Sequence, residues 1–140
     1  RGHAVARAST ASASWDVLLI DTMGHLASYY ALADAVFVGG SLIPHGGQNP
    51  IEPASLGKPV IFGPCMQNFA DIAQQLVSHQ AACQVADGAA LTATLRRLLA
   101  DRADARAMGE RATALTHRMA GGTQRTLDAL APFLNRSHYA

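Results

Sequence analysis

Three short apolar runs punctuate the chain: DVLLID (Asp16 to Asp21), AVFVGG (Ala35 to Gly40) and PVIFG (Pro59 to Gly63). Each is apolar at consecutive rather than alternate positions and is bounded by acids, glycine or proline. That is the pattern of a strand covered by helices on both faces. Stretches with helical spacing lie between and after them. TMGHLASYYALA places Leu26, Tyr29, Tyr30 and Ala33 on one face of a helix from Thr22 to Ala33, with Asp21 or Thr22 as its cap. NPIEPASLG reads as a helix with Asn49 as N-cap, Pro50 at the first helical position and Gly57 as its stop. Further helices are predicted over Asn68 to His79, from Asp87 onward, through RADARAMGERATALTHRMA, and in a last segment bent or ended near Pro132. HAVARAS (His3 to Ser9) and AACQVA are weaker strands. Strands alternating with helices predict parallel βαβ units. The expected fold is α/β, a Rossmann-like parallel sheet flanked by helices, forming a single domain over residues 1–140.

Composition narrows the class. With 49% hydrophobic and 15% charged residues, the chain can build a real core. A formal net charge of +1, with no basic run, offers no electrostatic footprint for nucleic acid. Cys65 and Cys83 are spaced neither as a zinc pair nor as a disulfide framework, which fits a reducing compartment. No stretch reads as a membrane span, and the start, RGHAVARASTASASW, lacks the apolar core of a signal peptide. The chain opens on Arg1 rather than Met. It is therefore expected to be a soluble piece of a longer protein.

In an open parallel sheet, ligands bind beyond the carboxyl ends of the strands. Two segments fall there. The first is Asp21 to Gly24, which leaves a strand and opens a helix, so its free N–H groups suit either a phosphate or a simple helix start. The second is GGSLIPHGGQNPIEPA. Gly39 and Gly40 end a strand without β-carbons, and Gly46 and Gly47 permit positive φ in the loop. Gly39, Gly40, Ser41, Gly46, Gly47 and Gln48 are thus candidate loop contacts. Glu52 sits one turn into the helix that follows. Two roles are open to it: ligand of a ribose diol, or capping-box partner of the Asn49 N–H. His25 and His45 are candidates for phosphate contact or acid/base work, but with no carboxylate or Ser partner nearby in sequence each reads rather as a lone surface histidine; Lys58 reads as a solvated turn residue and Cys65 as an incidental thiol. Tyr29 and Tyr30 read as core and its margin. The arginines Arg96, Arg97, Arg102, Arg106 and Arg111 fall on solvated helix faces.

Taken together, DTMG, FVGGS and GGQNPIEPA, with the NFADIAQQL, LLADRADARAMGERA and GGTQRTLDAL segments, resemble the C-terminal half of the 3-deoxy-D-manno-octulosonic acid (Kdo) transferases. The resemblance covers nearly the whole chain from about Val17. It implies the GT-B architecture of two Rossmann-like domains across a cleft, with this chain the later part of the donor domain. It implies binding of CMP-Kdo through Met23, Gly24 and His25 at one helix start, and through Asn49, Pro50, Ile51 and Glu52 at the other, with Glu52 on the ribose. The family usually has Glu at the position of His25 and often His at that of Gln48. A Pro-Arg segment that also grips CMP, the acceptor domain and its membrane-anchoring N-terminus would all lie upstream of Arg1.

The resemblance further implies an inverting transfer of Kdo to a lipid A precursor, for lipopolysaccharide, at the cytoplasmic face of a bacterial inner membrane. The base would lie in the missing domain, so no catalytic residue is expected in this chain, which alone is expected to be inactive. Neither metal nor other cofactor is expected, since no Asp-x-Asp motif appears. Two alternatives stand beside this reading. One is another GT-B glycosyltransferase or an epimerase using a UDP- or ADP-sugar. The other is a non-catalytic α/β module in which the glycines and Asn49 to Glu52 are only turns and caps.

Overall fold

A computed structural model describes residues 2–10 and 14–134. Its elements follow the order β1 (Val5–Arg7), β2 (Val17–Leu19), α1 (Leu26–Leu32), β3 (Val36–Phe37), α2 (Ile51–Ser55), β4 (Val60–Phe62), α3 (Ala70–Ser78), β5 (Ala82–Gln84), α4 (Gly88–Ala100), α5 (Arg102–Met119) and α6 (Gly122–Leu134). Among the described residues every strand pairing is parallel, and strands alternate with helices from β2 onward, whereas β1 and β2 follow one another with no described helix between them. The strands form two ladders rather than one continuous sheet: β1 with β2, and β3, β4 and β5 in sequence order.

The three-stranded sheet carries the core. Its central strand, β4, is wholly buried. Successive side chains of a strand point to opposite faces, so Val60 and Phe62 pack with Ala54, Ile72, Ala73, Leu76, Ala112 and Leu115 on one side. Ile61 packs with Val85, Leu98, Ala105 and Met108 on the other. Burying each of these three β4 side chains contributes on the order of 2 kcal/mol, which anchors the sheet at β4.

The β1–β2 pair is different. DVLLID was expected to be a strand buried on both faces, yet Val17 is 47% and Leu19 50% exposed. Polar clamps hold this pair. The Ala4 N–H donates to the Asp16 carboxylate, and both the N–H and the hydroxyl of Ser9 donate to Asp21. These bonds hold the Asp21 carboxyl below its ordinary value of 3.8. Asp21 is therefore spent on the β1 end and does not cap a helix. The chain turns at Gly24 with φ +85°, so α1 starts at Leu26 rather than at Thr22.

The other boundaries lie close to expectation. Asp87 caps α4 by accepting from the Ala90 N–H, and Asp101 ends α4 while capping α5. Gly57, at φ +69°, stops α2. The arginines of α4 and α5 are exposed except Arg111, which is half-buried and donates to the Gln80 carbonyl rather than standing on a solvated face, and three of them form ion pairs: Arg97 with Asp104, Arg102 with Asp34, and Arg106 with Glu110. Among the described residues, no helix is long and apolar enough to cross a membrane.

Candidate functional site

The loop after β3 closes on itself. The Gly47 N–H donates to the Gly40 carbonyl and the Gln48 N–H to that of Gly39, both at 3.2 Å. Ser41 lies fully buried beneath it. Its hydroxyl donates to the Val38 carbonyl and accepts from the Gly63 N–H. The buried Gly46 and Gly47 have φ of +93° and +72°. A β-carbon on Gly46 would stand 2.5 Å from the Asn68 amide, and one on Gly47 would overlap the Met66 sulfur. Ser41, Gly46 and Gly47 therefore build the loop from within. Gly39 is exposed, with nothing within 4 Å of where its β-carbon would be.

The loop delivers the chain to α2. The Asn49 carboxamide oxygen accepts from the Ile51 N–H at 2.9 Å. Asn49 thus satisfies a free donor at the helix start, one residue displaced from the expected cap register. Pro50 and Pro53 are fully buried. Glu52 does not reach back to a backbone N–H as a capping box would. Its carboxylate instead meets the Asn49 side-chain amide, at 3.3 Å. That contact is long, and it leaves most of the carboxylate's accepting capacity open.

Gly39, Gln48, Asn49 and Glu52 line one cleft of about 460 Å³, with Val36, Phe37 and Val38 of the β3 segment and with Leu26 and Tyr30 of α1. The cleft opens beyond the carboxyl end of β3, where an open parallel sheet takes its ligands, and its size falls in the roughly 300–1,000 Å³ range of small-molecule sites. One wall is apolar and the other carries two amides and one carboxylate. Burial raises the Tyr30 phenol above its usual 10.0, and the nearby charge of Glu52 adds to the rise.

Sequence reasoning singled out Asn49, Glu52, Gln48 and Gly39 for this place, and the fold brings them together. Met23, Gly24 and His25 lie one step outside the cleft lining, in the turn before α1. Met23 is 96% exposed, and nothing lies within 4 Å of a β-carbon position at Gly24. Tyr30 was assigned to the core margin but faces the cleft. Lys58 was read as a solvated turn residue, yet its ammonium donates to the Ala31 carbonyl at 2.7 Å. It ties α1 to the segment that follows α2. No local signal in the sequence could have found that contact, which spans 27 residues.

A second cavity of about 390 Å³ lies between α3 and the ends of β4 and β5. Its polar lining is three glutamines and Ser78, with no charged side chain, so it offers a phosphate or ribose no ionic partner. Among the described residues, no group of three or more His, Cys, Asp or Glu is placed to hold a metal ion.

No family model matches the sequence. The chain is 46% identical over 119 residues to the 3-deoxy-D-manno-octulosonic acid transferase of Bordetella pertussis, covering 85% of this chain and 28% of that protein. It is 38% identical over 122 residues to the transferase of the same name from Haemophilus influenzae, covering 86% and 29%. The chain therefore spans under a third of the length of these curated relatives. Among solved structures, it is similar to the C-terminal CMP-Kdo binding domain of WaaA from Acinetobacter baumannii. The TM-score is 0.74 at 32% identity, over 79% of this chain and 59% of that one.

Proposed function

The chain is a relative of the 3-deoxy-D-manno-octulosonic acid transferases and shares the fold of the C-terminal part of a GT-B glycosyltransferase; from that premise we propose that it binds the nucleotide part of CMP-Kdo in the cleft between α1 and α2. The observation that carries this reading is the convergence of Glu52, Asn49, Gln48 and Gly39 on one apolar-walled cleft at the carboxyl end of β3. Glu52 takes the ribose diol, because its carboxylate accepts at more positions than Asn49 fills. The apolar wall of Leu26, Tyr30 and Val36 takes the base. The open backbone at Gly24 and Gly39 takes the phosphate through N–H groups. Met23 and His25 complete the contact through their backbones, whereas Pro50, fully buried and without an N–H, and Ile51, whose N–H goes to Asn49, hold α2 in place beneath it.

The activity we propose belongs to the longer protein of which this domain forms part. That protein transfers Kdo from CMP-Kdo to a lipid A precursor with inversion at the anomeric carbon. A carboxylate from another domain deprotonates the acceptor hydroxyl. The departing CMP is stabilised by N–H donors and the positive end of α2, without a metal ion. The acceptor and the inner membrane are engaged by segments outside this chain.

The test is a calorimetric titration of the chain with CMP, UMP and UDP, alongside Glu52→Ala. Selective binding of CMP, weakened roughly tenfold or more by the substitution, is the expected result. A preference for UDP would point to another GT-B donor. If full-length protein binds CMP equally well with and without Glu52, the carboxylate has no place in the donor site.

A further inference from the structure

Glu52 carries a full charge on the wall of a cleft that a ligand would seal. While the cleft is open, water solvates that charge. Once a nucleotide fills it, each carboxylate lone pair left without a donor becomes costly. Three side chains lining the cleft have a donor to offer: Gln48, Asn49 and Tyr30. Asn49 already gives its amide to Glu52 at 3.3 Å while its oxygen serves the Ile51 N–H. Gln48 is itself exposed, at the rim of the loop. Tyr30 stands on the opposite wall, half-buried, on a helix that Lys58 pins through the Ala31 carbonyl next to it. The phenol lies close enough to Glu52 for the carboxylate charge to oppose its ionisation.

We infer that Tyr30 is a positioning residue for Glu52: as a nucleotide displaces water from the cleft, the Tyr30 hydroxyl donates to the Glu52 carboxylate and fixes its remaining lone pairs on the ribose diol. The inference rests on the reading of Glu52 as the ribose ligand. It adds that the carboxylate is oriented from across the cleft, by α1, and not only by its own helix. Recognition of the sugar then depends on how α1 and α2 are spaced, which makes Lys58 part of the same arrangement.

The experiment compares CMP with 2′,3′-dideoxy-CMP, which lacks the diol, on the wild-type chain, Glu52→Gln and Tyr30→Phe. Thermal midpoints are measured in parallel. The wild type should prefer CMP by roughly tenfold, the worth of a charged hydrogen bond. Glu52→Gln should lose most of that preference. Tyr30→Phe keeps the ring and its packing, so its thermal midpoint should stay put while its preference for the diol falls at least threefold, roughly. A purely structural tyrosine would weaken both nucleotides alike and leave the ratio intact, and that result would overturn the role of Tyr30 alone. A wild-type chain that binds the two nucleotides equally would overturn the ribose role of Glu52 and the positioning role together.

Discussion

Gly109 of α5 and Gly57 at the end of α2 meet backbone to backbone. A β-carbon on Gly109 would overlap the carbonyl oxygen and carbon of Gly57. The contact sets how closely α2 approaches α5, and α2 carries Glu52. Beside it, the Thr113 hydroxyl donates to the Ala54 carbonyl at 3.4 Å. Because the obstruction is backbone rather than the tip of a flexible side chain, it cannot swing aside. Gly109→Ala should cost about 2 kcal/mol or more, the upper part of the range for overpacking. Denaturant titration would read this as a lower midpoint with an unchanged slope. An unchanged midpoint would mean that the helices separate freely, and α2 could not then be called fixed.

Asn49 has two separable jobs, and two substitutions separate them. Asn49→Ala removes both the acceptor for the Ile51 N–H and the donor to Glu52. It should cost about 1 kcal/mol of stability, as loss of a cap does. Asn49→Asp keeps the acceptor and should leave stability near the wild-type value. It also replaces the amide donor with a second carboxylate beside Glu52, so CMP affinity should fall at neutral pH and partly recover as the pair takes up a proton. Equal CMP affinity for Asn49→Asp and wild type would remove the amide from the site.

Tyr30 gives a readout that needs no ligand. Its phenol is raised above 10.0 first by burial and second by the charge of Glu52. Ultraviolet titration of phenolate formation in Glu52→Gln should show one tyrosine moving part of the way back, since burial remains. Folding favours the neutral phenol, so this contribution is complete below pH 10 and is lost as pH rises through the folded value. Absence of any shift would place Tyr30 and Glu52 too far apart to cooperate.

Asp21 should act at the other end of the pH scale. The Ser9 hydroxyl and N–H lower its carboxyl below 3.8. The stabilisation is present above that value and is lost as pH falls through the folded one. Ser9→Ala should return the carboxyl towards its ordinary value in an NMR titration. The β1–β2 pair of that variant should loosen at neutral pH, while amides of β4 keep their protection from exchange. A carboxyl unmoved by the substitution would mean that Ser9 does not hold it.

The sequence revealed most where pattern and chemistry are local. The consecutive apolar run at Val60 to Phe62 announced a buried strand, because burial on both faces leaves no polar alternation. Asn49, Pro50 and Gly57 marked the limits of α2 through their backbone preferences, and the Asn49–Glu52 spacing brought the two residues together, though through the amide side chain and not through the backbone N–H that a capping box uses. What it concealed depended on distant partners. Val17 to Leu19 is as uniformly apolar as β4, yet lies largely exposed because no described helix covers it. Asp21 had a plausible helix to cap, but Ser9, brought beside it by the β1–β2 pairing, took its carboxylate. Tyr30 and Lys58 carry no motif at all. Their roles arise only when α1 folds against α2, a contact that neither helix encodes alone.

Lys58 is the one lysine in the chain, and it bridges the two walls of the cleft. Amine-directed chemistry therefore has a single side-chain target, placed where the separation of α1 and α2 is set. While its ammonium is held by the Ala31 carbonyl, acylation should be slow. Any event that parts the helices frees the amine and speeds the reaction. The protein thus contains its own gauge of cleft opening, readable by mass spectrometry one acetyl group at a time.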